Sequence, residues 1–144
     1  MIVMALDVGD RRIGVAISDP SGLIARPLTV IARRSNLQAA ETIRELAERN
    51  GVELVVVGVP LQEENHGGLQ AIKTLAFARF LRKQISLPIE TWDERFSTAD
   101  AEREMIAQGI RRSRRREMLD AAAAAVILDD WLNSHRPPSP HSPL

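Results

Sequence analysis

Three acidic residues stand where their types and spacing could do chemistry. Asp7 directly follows five apolar residues, IVMAL at 2–6. An unpaired carboxylate beside a buried run is costly, by several kcal/mol or by a large pKa shift. Asp120 has Ala124, Ile127, Leu128 and Trp131 at i+4, i+7, i+8 and i+11. Those offsets define one helix face, so Asp120 continues an apolar stripe and should face a sheet rather than water. Glu94 neighbours Asp93 after the segment IETW. Strand alternation sends the two acids to opposite faces, and chain logic does not choose between them. Blander roles exist for each acid: a turn-capping Asp7, an Asp120 at a helix N-terminus, a solvated acidic pair at 93–94. Together they argue better. Carboxylates converging at one sheet edge would repel unless cations sit between them, and hard oxygen ligands suit Mg²⁺ or Mn²⁺. Two such ions activate water and stabilise the leaving oxygen in phosphodiester hydrolysis. No histidine is needed, and His66, His135 and His141 fall in a loop or at the tail.

Arginines supply the second constellation. Lys73 and Lys83 are the only lysines among 19 basic residues, so the planar fork that suits phosphate dominates. A GC-rich genome would also enrich arginine. Arg111, Arg112, Arg114, Arg115 and Arg116 form a run just before Asp120. Such a run is often a solvated loop. Beside a metal site it would instead give salt-dependent, sequence-neutral affinity for a phosphate backbone. Arg11, Arg12 and Arg95 could add to the same edge. Aromatic residues make up 3% of the chain, which argues against base stacking on a platform.

The elements that must position these residues follow from periodicity. The run 2–6 reads as a central strand covered on both faces and ending at Asp7. Ile13, Val15 and Ile17 alternate along a second strand. Asp19-Pro20-Ser21-Gly22 is a turn, and a third strand over about 23–31 returns antiparallel. A helix capped by Asn36 presents Leu37, Ala40, Ile43 and Ala47, and Gly51 closes it. A buried strand covers 53–58, and a polar loop covers 59–68. A helix over 69–85 should bury Leu69, Ile72, Ala76 and Phe80. A short strand opens at Pro88. Ser97 and Asp100 form a capping box for a further helix. The last helix spans about 117–133. The order is an antiparallel three-stranded meander followed by crossovers. It predicts an α/β fold with a mixed five-stranded sheet and helices on both faces. Ligands gather at the carboxyl ends of parallel strands in such sheets, where Asp7, Gly58 and Asp93-Glu94 all fall.

Composition bounds the rest. The 144 residues suit one domain, over 1–133, with a Pro-rich tail at 134–144 expected to be disordered. The absence of cysteine excludes disulfides, thiolate metal sites and thiol nucleophiles, and fits a reducing cytoplasm. No membrane span or secretory signal is expected. A net charge of zero argues against a uniformly basic surface and throws weight on charge distribution.

The strings LDVGDRRIGVAISD (6–19), VVVGVPL (55–61), DERFST (93–98) and LDAAAAAVILDDWL (119–132) resemble the YqgF/RuvX family. Its members are described as Holliday junction resolvases and as pre-16S rRNA nucleases. The resemblance spans about 1–133. It implies an RNase H-like fold and a divalent-metal nuclease that uses Mg²⁺ or Mn²⁺. By matching motif positions it assigns the catalytic and metal-binding acids to Asp7, Glu94 and Asp120, and it prefers Glu94 to Asp93. The loop QEENHGG replaces the family's usual Asp-Gly loop, so the rim of the substrate site departs from the pattern. Gly58, between the strands of Asp7 and Glu94, would leave room for metal or phosphate, or simply allow close packing. The expected partner is a nucleic acid, branched DNA or precursor rRNA. A four-way junction has two-fold symmetry and would call for a homodimer. Two other classes compete. An actin-like ATPase or sugar kinase shares the Asp-Val-Gly hairpin but needs a second domain. A non-catalytic nucleic-acid-binding factor in ribosome maturation would not need all three acids.

Overall fold

Why five short segments form one sheet follows from their apolar patterning. The computed structural model describes residues 1–60, 67–93 and 112–135, and the side chains of all of these except 67 and 112–118. Among them the strands are β1 (Val3–Val8), β2 (Arg12–Ser18), β3 (Ala25–Ala32), β4 (Leu54–Val59) and β5 (Ile89–Asp93). The helices are α1 (Asn36–Asn50), α2 (Gly67–Gln84) and α3 (Arg112–His135). The sheet order is β3-β2-β1-β4-β5, antiparallel in the meander and parallel from β1 through β4 to β5. This is the expected mixed architecture.

Alternation along the strands builds two cores. Met4, Leu6, Ile13, Val15, Val55 and Val57 pack against α1 and α2. Val3, Ala5, Ala16, Leu54 and Val56 pack against α3 through Ala124, Ile127, Leu128 and Trp131. The α3 stripe predicted from Asp120 onward is therefore buried as expected. The Asp19 turn also forms as predicted: Gly22 N–H reaches the Asp19 carbonyl at 3.0 Å, with Gly22 at φ 73°. The Asp19 carboxylate accepts from the Ser21 hydroxyl and from the N–H groups of Ile24 and Leu23. Led by the Ser21 hydroxyl, these donors pull its pKa down to about 2.

Several expectations need correction. β1 does not stop before Asp7; it runs on to Val8 with Asp7 inside the ladder. Ser35, not Asn36, caps α1: its hydroxyl accepts from Gln38 N–H at 3.1 Å. Leu37 is exposed, and Ala39 takes its place in the buried set. The face of α2 differs more. Leu69 and Ile72 are each 64% exposed and Ala76 is exposed as well, while Ala71, Phe77, Ala78 and Leu81 are buried. Its sequence is apolar on nearly every side, so helical spacing does not select the face; contact with the sheet does. α3 begins at Arg112, earlier than the expected 117, so the backbone of 112–116 is helical. It also continues through Ser134 and His135, the first two residues of the expected tail, with the His135 ring stacked on Trp131 at 4.0 Å.

Candidate active site

The site is built around one row across the sheet. Asp7 pairs with Gly14 on β2 and with Gly58 on β4, and Gly58 in turn pairs with Trp92 on β5. Asp7 shares the α3 side with Val3 and Ala5 by strand alternation. Both of its lateral neighbours on that side lack a side chain. Adjacent strands lie about 4.8 Å apart. The two glycines therefore leave a slot around the carboxylate at the carboxyl end of a central parallel strand.

α3 enters that slot from above. A Cβ on Gly14 would land on the Asp120 carbonyl oxygen, so the helix backbone meets the sheet directly here. The buried Ala121, Ala123 and Ala124 keep the following turns equally close. Asp120 thus comes near enough to Asp7 for its charge to act. Asp7 is pushed up to about 6, first by burial and then by the Asp120 carboxylate. Arg12 balances the other acid: its Nε donates to Asp120 Oδ2 at 2.6 Å. That pair is partly exposed, with side-chain exposures of 40% and 28%. Exposed pairs contribute about 0–1 kcal/mol. Arg12→Ala should accordingly lower the unfolding free energy by less than ~1 kcal/mol, measurable by urea denaturation. A loss above ~2 kcal/mol would show a structural role that this exposure does not suggest.

A divalent cation fits the donor set. Two carboxylates lie close enough to repel, one of them largely buried, and the raised pKa of Asp7 reflects a charge that a hard cation would offset. Among the described residues no group of three acids or histidines is close enough to form a complete metal site. Glu94, the third expected acid, lies outside the described residues, as do Arg95 and Arg111. Asp93 is the last residue of β5 and lines a cavity with Trp92 and with Asp130, Asn133 and Ser134 of α3. Arg11 is exposed in the β1–β2 turn, and its carbonyl accepts from Arg33 N–H at 2.8 Å. Arg112, Arg114, Arg115 and Arg116 occupy the first turns of α3, with side chains outside the described set. Sequence reasoning missed Gly14. Its one signal was a glycine amid β-branched residues, which marks close backbone approach without saying to what.

Comparison with known proteins now decides the family. The model described as "RuvX: Holliday junction resolvase" matches residues 1–134. The chain belongs to the RuvX family. A curated RuvX-like relative from Desulforudis audaxviator, named "Putative pre-16S rRNA nuclease", is 42% identical over 136 residues, 94% of this chain and 96% of the relative. A protein of the same name from Halothermothrix orenii is 42% identical over 133 residues, 92% of this chain and 95% of the relative. Among solved structures, RuvC of T. thermophilus in complex with a Holliday junction substrate matches with TM-score 0.58 at 17% identity, covering 93% of this chain and 95% of that one. The Fowlpox virus resolvase with Holliday junction DNA matches with TM-score 0.55 at 11% identity, covering 93% and 98%. These likenesses show that the RuvX-family chain has the RNase H-like fold of the resolvases.

Proposed function

We propose that this protein is a metal-dependent endonuclease that hydrolyses phosphodiester bonds in structured nucleic acid. The observation that carries the reading is the Asp7–Asp120 pair, held in a glycine-walled slot at the carboxyl end of β1. Asp7, Asp120 and Glu94 would hold Mg²⁺ or Mn²⁺, one ion or two. The choice of Glu94 over Asp93 as the third acid rests on the family's motif. When bound, the metal supplies Lewis acidity at the phosphodiester and makes water nucleophilic near neutral pH. Asp7 and Asp120 orient the site. Arg12, which donates to Asp120 at the partly exposed rim of the site, would be placed to meet a phosphate oxygen with its planar fork. The arginines of 111–116, with Arg11 and Arg95, are proposed to carry the flanking backbone.

The names of the family and its relatives support two substrates of one chemistry, four-way DNA junctions and precursor 16S rRNA, and for the rRNA the cut is proposed at the 5′ end. A junction would require two sites in a homodimer. The cysteine-free sequence suits a cytoplasmic setting, and no described helix is long and apolar enough to cross a membrane. The test is cleavage in Mn²⁺ of a four-way DNA junction, a precursor rRNA segment and plain duplex DNA. Cutting of the junction or the rRNA supports the reading. Binding without cleavage of any of them overturns it in favour of a non-catalytic nucleic-acid-binding factor.

A proton and a cation compete for Asp7. With its pKa at about 6, the carboxylate is mostly ionised at pH 7 and mostly protonated at pH 5. The half-saturating Mn²⁺ concentration should therefore be nearly flat above pH 7. Below pH 6 it should rise by up to roughly tenfold per unit. A cleavage titration at fixed substrate checks this. A flat requirement from pH 5 to 8 would remove Asp7 from the metal site.

A further inference from the structure

A second cationic feature lies on the opposite side of the same sheet edge. A cavity of about 440 Å³ is lined by Asp10, Arg33, Arg34, Lys73 and the Phe77 ring, beside the start of α1. It brings three cations together against one exposed carboxylate. Lys73 Nζ sits 3.7 Å from Asp10 Oδ1, a loose pair in which both partners stay largely in water. Arg33 is fixed in place. Its Nη1 donates to the Gly9 carbonyl at 2.8 Å, its Nη2 donates to Asn36 Oδ1 at 2.9 Å, and its guanidinium lies 4.7 Å over the Phe77 ring. Neither Arg33 nor Arg34 has a carboxylate partner among the described residues.

We propose that this cavity binds phosphates of the nucleic-acid strand next to the one presented to Asp7 and Asp120. The inference rests on the nuclease reading above. Position supports it. Gly9, which anchors Arg33, is two residues beyond Asp7 on the same chain, where β1 turns into β2. A backbone that crosses the edge at Asp7 and continues past the β1–β2 turn would bring its next phosphates toward Arg33, Arg34 and Lys73. Chemistry supports it as well. A pre-ordered arginine loses little rotamer freedom on meeting a phosphate, and its fork matches phosphate oxygens. Arg33 already covers one face of the Phe77 ring, so that ring is a support for the cation and not a platform for a base. The site reads backbone, not sequence.

The test uses the full chain carrying Asp7→Asn, so that nothing is cut during binding. The double variant Arg34→Ala/Lys73→Ala changes two side chains on the exposed surface. Arg44→Ala/Arg49→Ala removes two exposed cations of α1 away from the cavity and serves as the charge-matched control. Affinity for a four-way DNA junction and for a stem–loop RNA is measured between 50 and about 200 mM salt, the range in which counterion release is read. Loss of two phosphate contacts should lower affinity about 50-fold at about 0.1 M salt and reduce the salt slope by roughly two on duplex DNA arms. The slope should fall somewhat less where the contacts fall on the single-stranded loop of the RNA. The control should behave as the parent. A drop on only one of the two probes assigns the phosphates to that nucleic acid. Parental affinity and slope in the cavity variant, an equal fall in the control, or no binding of either probe by the parent would overturn the proposal. Cleavage by the unaltered protein is scored separately: binding that depends on the cavity without cleavage sinks the nuclease reading and keeps the cavity. Cleavage with a cavity variant that binds normally does the reverse.

Discussion

Asp7→Asn should make the metal-free protein more stable while removing its cleavage activity. Asp7 is pushed up to about 6 from the ordinary aspartate value of 3.8. A raised carboxyl pKa means the folded state holds the proton more tightly than the unfolded chain. Folding therefore suffers no penalty below pH 3.8, a growing one between pH 3.8 and about 6, and the full one above. A rise of that size corresponds to about 3 kcal/mol, an upper value for a residue that keeps some contact with water. An amide of the same shape removes the penalty. At pH 8 without divalent metal, Asp7→Asn should unfold at higher urea than the parent, by up to about 3 kcal/mol; near pH 4 the two should converge. Added Mn²⁺ should stabilise the parent and leave the variant nearly unmoved. Cleavage should fall at least ~100-fold, the upper end of the loss seen when only an outer partner of a metal ligand is removed. A variant that is less stable than the parent at pH 8, or that cuts at the parental rate, would mean that Asp7 is a structural carboxylate.

The trade between stability and chemistry was partly visible in the residues themselves. The apolar run before Asp7 announced a buried strand, and an acid at its end is costly for reasons that need no structure. Asp120 was legible because helical spacing tied it to Ala124, Ile127, Leu128 and Trp131, all of which are buried. What stayed hidden was tertiary. α2 carries apolar residues all round, so the sheet, not the pattern, decides that Phe77 and Leu81 go inward while Leu69 and Ile72 stay out. Arg12 reads as a phosphate contact from its neighbours in sequence, yet its first partner is Asp120, 108 residues away. The cavity at Arg33, Arg34 and Lys73 joins the end of β3 to the middle of α2, which no local pattern connects. Glu94 rests on the family resemblance, because two adjacent acids at a strand end give no local reason to prefer one.

Gly14→Ala should be strongly damaging for the addition of a single methyl group. The new Cβ would coincide with the Asp120 carbonyl oxygen, and the next nearest atoms are also α3 backbone, Asp120 C and Ala121 N. Backbone cannot rotate aside as a side-chain tip can, so either β2 or α3 must shift as a body. Overpacking of this kind typically costs about 1–3 kcal/mol. The upper end is expected here because α3 is seated on the sheet by the core of Ile127, Leu128 and Trp131 and cannot lift without opening it. The same displacement takes Asp120 away from Asp7. Gly14→Ala should therefore lose stability and metal binding together, whereas Asp7→Asn loses metal binding and gains stability. Urea denaturation with and without Mn²⁺ separates the two signatures. If Gly14→Ala kept parental stability and a parental Mn²⁺ response, the close contact of helix and sheet would not be what positions Asp120. If it lost stability yet kept the full Mn²⁺ response, Gly14 would serve packing alone and the carboxylate pair would be held by other contacts, with the Arg12 bond to Asp120 Oδ2 the first to test.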